Sequence, residues 1–360
     1  KLNDYSIEWQ VGQQAPDNGS TYYVSVKKKK GDEFYEPIQE FSKEQIVYNC
    51  GEEYETGVIS ELSVAADLAI EGGAEMLYTI QTVDGTTSGY INAIDKSKDI
   101  ELDTIIVTGI TNATVRNYLI DHIMEMSSDN EMKERTTIIA PVNTTDDITT
   151  IGALSSAISN TRISMIGNPK VKVNLTDSIT GESSEVEFSS IMAAANIAGI
   201  ESDSQYDAAE PMLGKKLSSR ITLDSNYLLS EAKYLGGKGC VILEKDDSAA
   251  VSIVDMLTTD MTNAITQERS VRRQLDYVRK DLRKEFGKRF KGPKLLSGIE
   301  KRIEEFSRVK LQEYVDSALI YGFESIKAYR SISEPRKVLL SMRVSPVFPL
   351  KYIDISIIIY

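Results

Sequence analysis

The sequence predicts an α/β and α+β architecture: mixed β-sheets flanked by helices, then a C-terminal domain of two long helices plus closing antiparallel strands. Three observations carry this. From about residue 57, short apolar runs alternate with amphipathic stretches of helical length, as strands covered by helices do. Further on, two pairs of extended runs each fold about a turn, the mark of hairpins. After residue 256 come two long apolar stripes at helical spacing, then strand-like runs to the end. The expected divisions are 1–45, a strand-rich segment; 46–255, an α/β core; and 256–360, the C-terminal domain.

The elements follow in order. In TYYVSVKKKKGDEFYEPI, Tyr23, Ser25 and Lys27 alternate with Val24 and Val26, and Gly31-Asp32 makes a turn before a second extended run. The tetrad Lys27–Lys30 reads as a polyanion or nuclear signal, or as a solvated hairpin end beside Asp32 and Glu33; the second reading needs no partner. Ile59, Leu62, Ala66, Ala69 and Ile70 fall on one helical stripe, which Gly72-Gly73 stops. AEMLYTIQTV (74–83), TIIVTGI (104–110) and RTTIIAPV (135–142) read as strands, with NATVRNYLIDHIMEMSS (112–128) a helix between the last two. TTIGALSSAISN (149–160) leads into the strand RISMIGNP (162–169). Alternation of this length implies some parallel pairing.

VKVNLTDSITGESSEVEFSS (171–190) is a hairpin around Gly181, and GCVILEKDDSAAVSIVDML (239–257) is another. SIMAAANIAGI (190–200) is a helix of small residues, which lets another backbone approach closely. Val271, Leu275, Val278, Leu282 and Phe286 form one stripe among Arg and Lys; Ile299, Ile303 and Phe306 start a second that continues at Leu311, Val315 and Leu319. The chain closes on VLLSMRVSPVFPLKYIDISIIIY (338–360), two strand-like runs divided by Pro346 and Pro349. In the second run Ile353, Ile355, Ile357 and Ile359 point one way, and Tyr352, Asp354, Ser356 and Ile358 the other. An unpaired apolar strand recruits other chains, so this ending needs a partner.

Composition narrows the function. No apolar run reaches the ~20 residues that span a bilayer. The opening KLNDYSIEWQ has no signal-peptide core and no initiator Met, which predicts a cytosolic, trimmed chain. The three Asn-X-Thr sequences at Asn112, Asn143 and Asn174 then read as coincidence. A net charge of −13 argues against nucleic acid as main partner. From Arg269 to Lys310 basic residues outnumber acidic ones, which predicts two surfaces of opposite sign.

Catalytic signals are weak. LGGKGC (235–240) lacks phosphate-loop spacing and follows a helix, so it reads as a helix end and turn. Asp146-Asp147 and Asp246-Asp247 read as solvated loop charges. His122 is the one histidine, on a helix rich in Ile and Met, so there is no His cluster for zinc and no second imidazole for a relay. Cys50 and Cys240 are too few and too far apart for a disulfide framework and read as buried thiols. No catalytic, cofactor or metal site is expected.

Several stretches together resemble the contractile phage tail sheath protein family. FSKEQIVYNCGEEYETGVISELSVAADLAIEGGAEMLYTIQ (41–81) is similar to the opening of that family's core. SSIMAAANIAGIESDSQYDAAEPMLGKKL (189–217) resembles its small-residue helix ending in Ala-Gly, an acidic loop and an alanine-proline segment, although DSQYDAAEP departs from the usual loop. The helix RSVRRQLDYVRKDLRKEFGKRF and the strand IDISIIIY match its C-terminal domain in order and position. A phenylalanine-glutamate-proline-asparagine motif common in cellular sheaths is absent, which favours a phage.

The resemblance implies a non-enzymatic, cofactor-free subunit that polymerises as a helical sleeve, in hexameric rings, around an inner tail tube protein. Baseplate and tail terminator proteins complete the implied partners, without nucleic acid or membrane insertion. The implied location is the virion tail, assembled in the host cytoplasm. The sleeve would form extended and metastable, then shorten and drive the tube through the host envelope. On this reading Leu340, Met342, Val344, Ile353, Ile355, Ile357 and Ile359 form an inter-subunit sheet. Lys301, Arg302, Arg308 and Lys310 form a tube-facing basic helix. The rivals are an α/β nucleotide- or phosphosugar-binding enzyme and the sheath of a cellular contractile injection system.

Overall fold

A computed structural model describes residues 36–82, 84–110, 112–290, 298–334 and 336–351, all within the unit Tyr35–Tyr360. The chain begins with β1 (Ile38–Glu40), α1 (Lys43–Cys50), β2 (Tyr54–Glu55), β3 (Val58–Ile59), α2 (Glu61–Gly72), β4 (Leu77–Thr79) and α3 (Thr87–Lys96). Helix α1 overlaps the end of the segment 1–45 expected to be strand-rich and runs past it: Ser42 caps its first turn and Gly51, at φ 95°, ends it. The predicted strand 74–83 is ordered as a strand over three residues only, and α3 was not anticipated.

The core continues with β5 (Thr104–Ile105), α4 (Ala113–Met126), β6 (Thr136–Ile139), α5 (Ile148–Ile158), β7 (Ile163–Ile166), β8 (Lys170–Thr176), β9 (Ser183–Ser189) and α6 (Ile191–Ser202). Then come β10 (Ile221–Thr222), α7 (Leu229–Gly236), β11 (Cys240–Lys245), β12 (Val251–Asp255) and α8 (Ala264–Gln267). The C-terminal part holds α9 (Arg269–Phe290), α10 (Ile299–Asp316), β13 (Gly322–Arg330) and β14 (Val338–Ser345).

The central sheet runs β12-β11-β7-β6-β5. Four of its strands are parallel and β12 is antiparallel to β11. Strand alternation sends its residues into two cores. Ile138, Ile166, Val241 and Leu243 face α2 and α6, while Ile139, Ile163, Met165 and Ile242 face the layer that includes α3, α4, α5 and α7. The hairpin β8–β9 turns at Gly181, as expected, and takes β10 as a third strand.

The small-residue helix does allow close approach. A Cβ on Gly199 of α6 would sit 2.1 Å from the Ala69 carbonyl of α2, and one on Gly72 would sit 2.4 Å from the Asn196 carbonyl. This contact rotates α2 relative to the expected stripe: Val64 and Leu68 are fully buried, while Leu62, Ala69 and Ile70 are half-buried. Gly73, at φ 114°, caps α2 by donating to Ala69 and Ile70.

α9 is fastened to the core by ion pairs. Arg269, 1% exposed, donates from Nε and Nη2 to both Glu201 carboxylate oxygens at 2.8 and 2.9 Å, and from Nη1 to the Thr137 carbonyl at 3.1 Å. Arg162 makes a two-pronged contact with Asp276 at 2.6 and 3.1 Å. Arg283 pairs with Glu134, and Lys280 with Asp103 at 2.6 Å. Much of the basic excess of 269–310 is therefore spent inside the molecule. Arg279, Lys284, Lys288 and Arg289 of α9 remain exposed.

Candidate assembly surface

The C-terminal sheet is built by β13 and β14, antiparallel from Gly322↔Ser345 to Arg330↔Val338. Leu340, Met342 and Val344 alternate with exposed Ser341, Arg343 and Ser345. Met342 and Val344 pack with Phe323 and Ile326 against Val278 and Leu282 of α9 and Leu311 and Tyr314 of α10. One face of the sheet is thus held by its own helices, and the other presents Glu324, Lys327, Tyr329 and Arg343 to solvent.

β13 escaped the sequence reading because its alternation is broken. Ser325 takes φ 56° and the register shifts between Glu324 and Lys327. Phe323 and Ile326, three apart instead of two, consequently face the same core. A bulge of this kind hides a strand from a period-two search.

The two edges of this sheet differ. In β13, Ser331 donates to Lys337 across the pair, so by antiparallel alternation the Ala328 N–H points away from β14. There Glu304 of α10 accepts it at 2.8 Å. Arg330 pairs beside it with Glu300. The outer edge of β14 has no strand partner among the described residues. Among the described residues, one edge is met by α10 and the other by no strand.

The chain then turns back. Val347 donates to the Gln274 side chain, and Lys351 pairs at 2.6 Å with both Asp255, at the end of β12, and Glu268, just before α9. The link 346–351 leads from the sheet to the N-terminal end of α9. Ile353, Ile355, Ile357 and Ile359 lie outside the described residues, as does the segment around Lys27–Lys30.

The four basic candidates on α10 do not share one face. At ~100° per residue, Lys301 and Arg308 nearly align, with Glu305 and Gln312 between and beyond them. Arg302 sits about a quarter-turn away. Lys310 flanks the buried side, half-buried and paired with Glu313 at 2.7 Å. Exposed positive charge on α10 is therefore Lys301, Arg302 and Arg308, interrupted by Glu305.

Other candidates resolve into structure. Asn112 and Asp147 are helix N-caps, accepting from Val115 and Thr150. Asp246 accepts from the Ser248 hydroxyl and from Lys216, and from the Ser248 and Ala250 backbone N–H groups in the β11–β12 turn, which together hold its carboxyl down at about 2. LGGKGC is the end of α7 and the turn into β11, with Gly239 at φ 78°. Cys240 is buried and its thiol pushed up to about 11 by that burial; Cys50 is half-buried. His122 is packed against Arg135 and Ser97, each 3.2 Å from Nε2.

Among the described residues no cluster of His, Cys, Asp and Glu is arranged to hold a metal ion. No described helix is long and apolar enough to cross a membrane. A cavity of about 810 Å³ is lined among its charged residues by Glu61, Glu75, Glu101 and Asp103 and by no Lys, Arg or His. That lining is a poor match for the phosphates of a nucleotide or phosphosugar.

The fold is that of contractile sheath subunits. The chain superposes on the contracted helical sheath of the anti-feeding prophage with a TM-score of 0.70 at 13% identity, covering 98% of this chain and 99% of that one. The contracted sheath of the extracellular injection system PVC gives 0.68 at 11% identity, over 96% and 98%. A sheath tail protein from Listeria innocua gives 0.58 at 16% identity, over 73% and 57%.

In sequence the chain is similar to the tail sheath protein of Mycobacterium phage Bxz1, 25% identical over 305 residues. The alignment takes in 82% of this chain, which spans about half (51%) of the length of that relative. No protein-family model matches the chain.

Proposed function

We propose that the chain is a structural subunit of a contractile tail sheath. It polymerises helically around an inner tail tube, between baseplate and tail terminator, and shortens to drive the tube through a host envelope. The observation that carries this reading is the C-terminal sheet, one edge met by Glu304 and the other without a strand partner among the described residues, on a sheath fold. Each backbone hydrogen bond nets about 0.5–1.5 kcal/mol, so a strand of several residues tethers neighbours firmly while their rigid bodies slide.

The terminal segment is the natural tether. Its isoleucines at 353, 355, 357 and 359 present one apolar side, which suits a sheet whose single buried face is lined by Met342 and Val344. Lys351 is held near the N-terminal end of α9 by Asp255 and Glu268, and pairing of the segment that follows with β14 of a neighbour is the proposed link. Likeness to a phage protein in sequence favours a virion tail assembled in the host cytoplasm. The full-length structural matches to injection-system sheaths favour, as the second reading, an apparatus of that kind.

Electron microscopy of the purified chain with its tube protein tests the proposal. Striated hollow sleeves are expected from the intact chain and none from a chain lacking residues 352–360. Sleeves of normal length from the shortened chain would remove the tether from the account.

A further inference from the structure

The link that follows β14 is fastened at two polar points. β14 ends at Ser345, and its sheet packs on Val278 and Leu282 of α9. Val347 then donates to Gln274 Oε1 at 3.3 Å, and Lys351 reaches Glu268, so the link runs back along α9 toward its start. Lys351 is clasped between Asp255 and Glu268, 2.6 Å from each, and the three side chains are 14%, 20% and 10% exposed. Among the described residues no other cation pairs with either carboxylate.

Little else holds the link down. Phe348 and Leu350 are 46% and 78% exposed, so apolar burial contributes weakly there. Pro346 and Pro349 have no N–H to give to a strand, and their fixed φ keeps the link extended. Gln274 is fully buried, and its Nε2 has no partner among the described residues. When Val347 leaves, water can take its place at Oε1, which offsets most of the bond lost. The one substantial fastening is the Lys351 clasp.

We propose that residues 346–351 are a releasable latch, which lies along α9 at rest and swings free when Lys351 leaves Asp255 and Glu268. This rests on the reading of the terminal segment as a tether between subunits. Pull from a neighbour opens the latch, and the six residues it frees add up to ~20 Å of reach without breaking a strand pair. Lys351 is then a positioning residue, which sets where the tether leaves the body of the subunit.

Amide hydrogen exchange on the isolated full chain tests the latch. The Val347 amide is expected to exchange by local opening, faster than the amides of β13 and β14 and with little response to dilute denaturant. Lys351→Ala is expected to speed it roughly tenfold, because the clasp lies between exposed pairs and fully buried ones in strength. Lys351→Arg should restore slow exchange, and β13 and β14 should be unaltered in both variants. Asp255→Asn, which keeps the Glu268 pair, should give a smaller rise and serves if Lys351→Ala loosens the whole fold. Val347 exchange that needs global unfolding, or that neither Lys351→Ala nor Asp255→Asn changes, overturns the proposal. No sleeve enters this measurement, so its outcome is separate from that of the sheath reading, which absence of sleeves from the intact chain would overturn.

Discussion

At the residue scale, the buried polar groups decide most. His122 is 2% exposed, and its imidazole is held down to about 4 by burial and by the Arg135 guanidinium beside it. Lys98 adds to this and Asp95 opposes it. The folded protein thus keeps His122 neutral where an unfolded chain, with a pKa near ~6.5, takes up a proton. Stability from this residue is complete above about pH 6.5 and is lost as pH falls toward 4, by up to ~3 kcal/mol. Urea denaturation at pH 5 and pH 7 should show that loss in the natural chain and a smaller one in His122→Gln. Equal slopes in the two proteins would refute the assignment. The sequence placed His122 on an apolar helix, but its partners come from Ser97 and Arg135, which only the fold brings near.

At the scale of elements, the joint between α9 and the core is the informative one. Burial alone would raise the Glu201 carboxyl, but Arg269 and Arg273 outweigh it and hold it below its usual range. Glu201 ends α6, and Arg269 opens α9, so one pair joins two elements far apart in sequence. Removing one partner of a buried pair costs about 3–5 kcal/mol because the other charge stays buried. Arg269→Ala is expected near the lower end, since Arg273 still faces Glu201. A loss under about 1 kcal/mol by chemical denaturation would show that packing alone docks α9. The apolar stripe of α9 was legible as period 3.6, with Val271, Val278 and Leu282 buried as expected. The use of its arginines was not, because a sequence gives charge without the position of the opposite charge.

At the scale of the whole molecule, the question is which surfaces face outward in an assembly. Lys301, Arg302 and Arg308 are exposed, and Lys310 is tied to Glu313. Exposed ion pairs contribute ~0–1 kcal/mol each and weaken with salt, a strength suited to a contact that must break on contraction. Charge reversal at all four is expected to leave thermal unfolding nearly unchanged and to cut sleeve formation around the tube several-fold. The contribution should rest on 301, 302 and 308, so reversing Lys310 alone should have little effect on sleeve yield. Unaltered assembly in the fourfold variant would reassign the tube-facing surface.

By itself the sequence determined the local periods: the helices at 113–126, 191–202, 269–290 and 299–316, the hairpin at Gly181, and the alternation of 338–345. These follow from propensity, capping and side-chain spacing within a few residues, which a linear reading contains. The resemblance to contractile sheaths, carried by the order of those segments, was legible too. Tertiary structure decided what depends on distant partners. It set the rotation of α2 against Gly199, the bulge that conceals β13, and the burial of Arg269 of α9 against Glu201 and of Arg162 against Asp276 of α9. Among the described residues it also gave the outer edge of β14 no strand partner, while Glu304 meets the edge of β13. Edges, cavities and ion pairs arise where segments meet, and their energies depend on burial that no single segment carries.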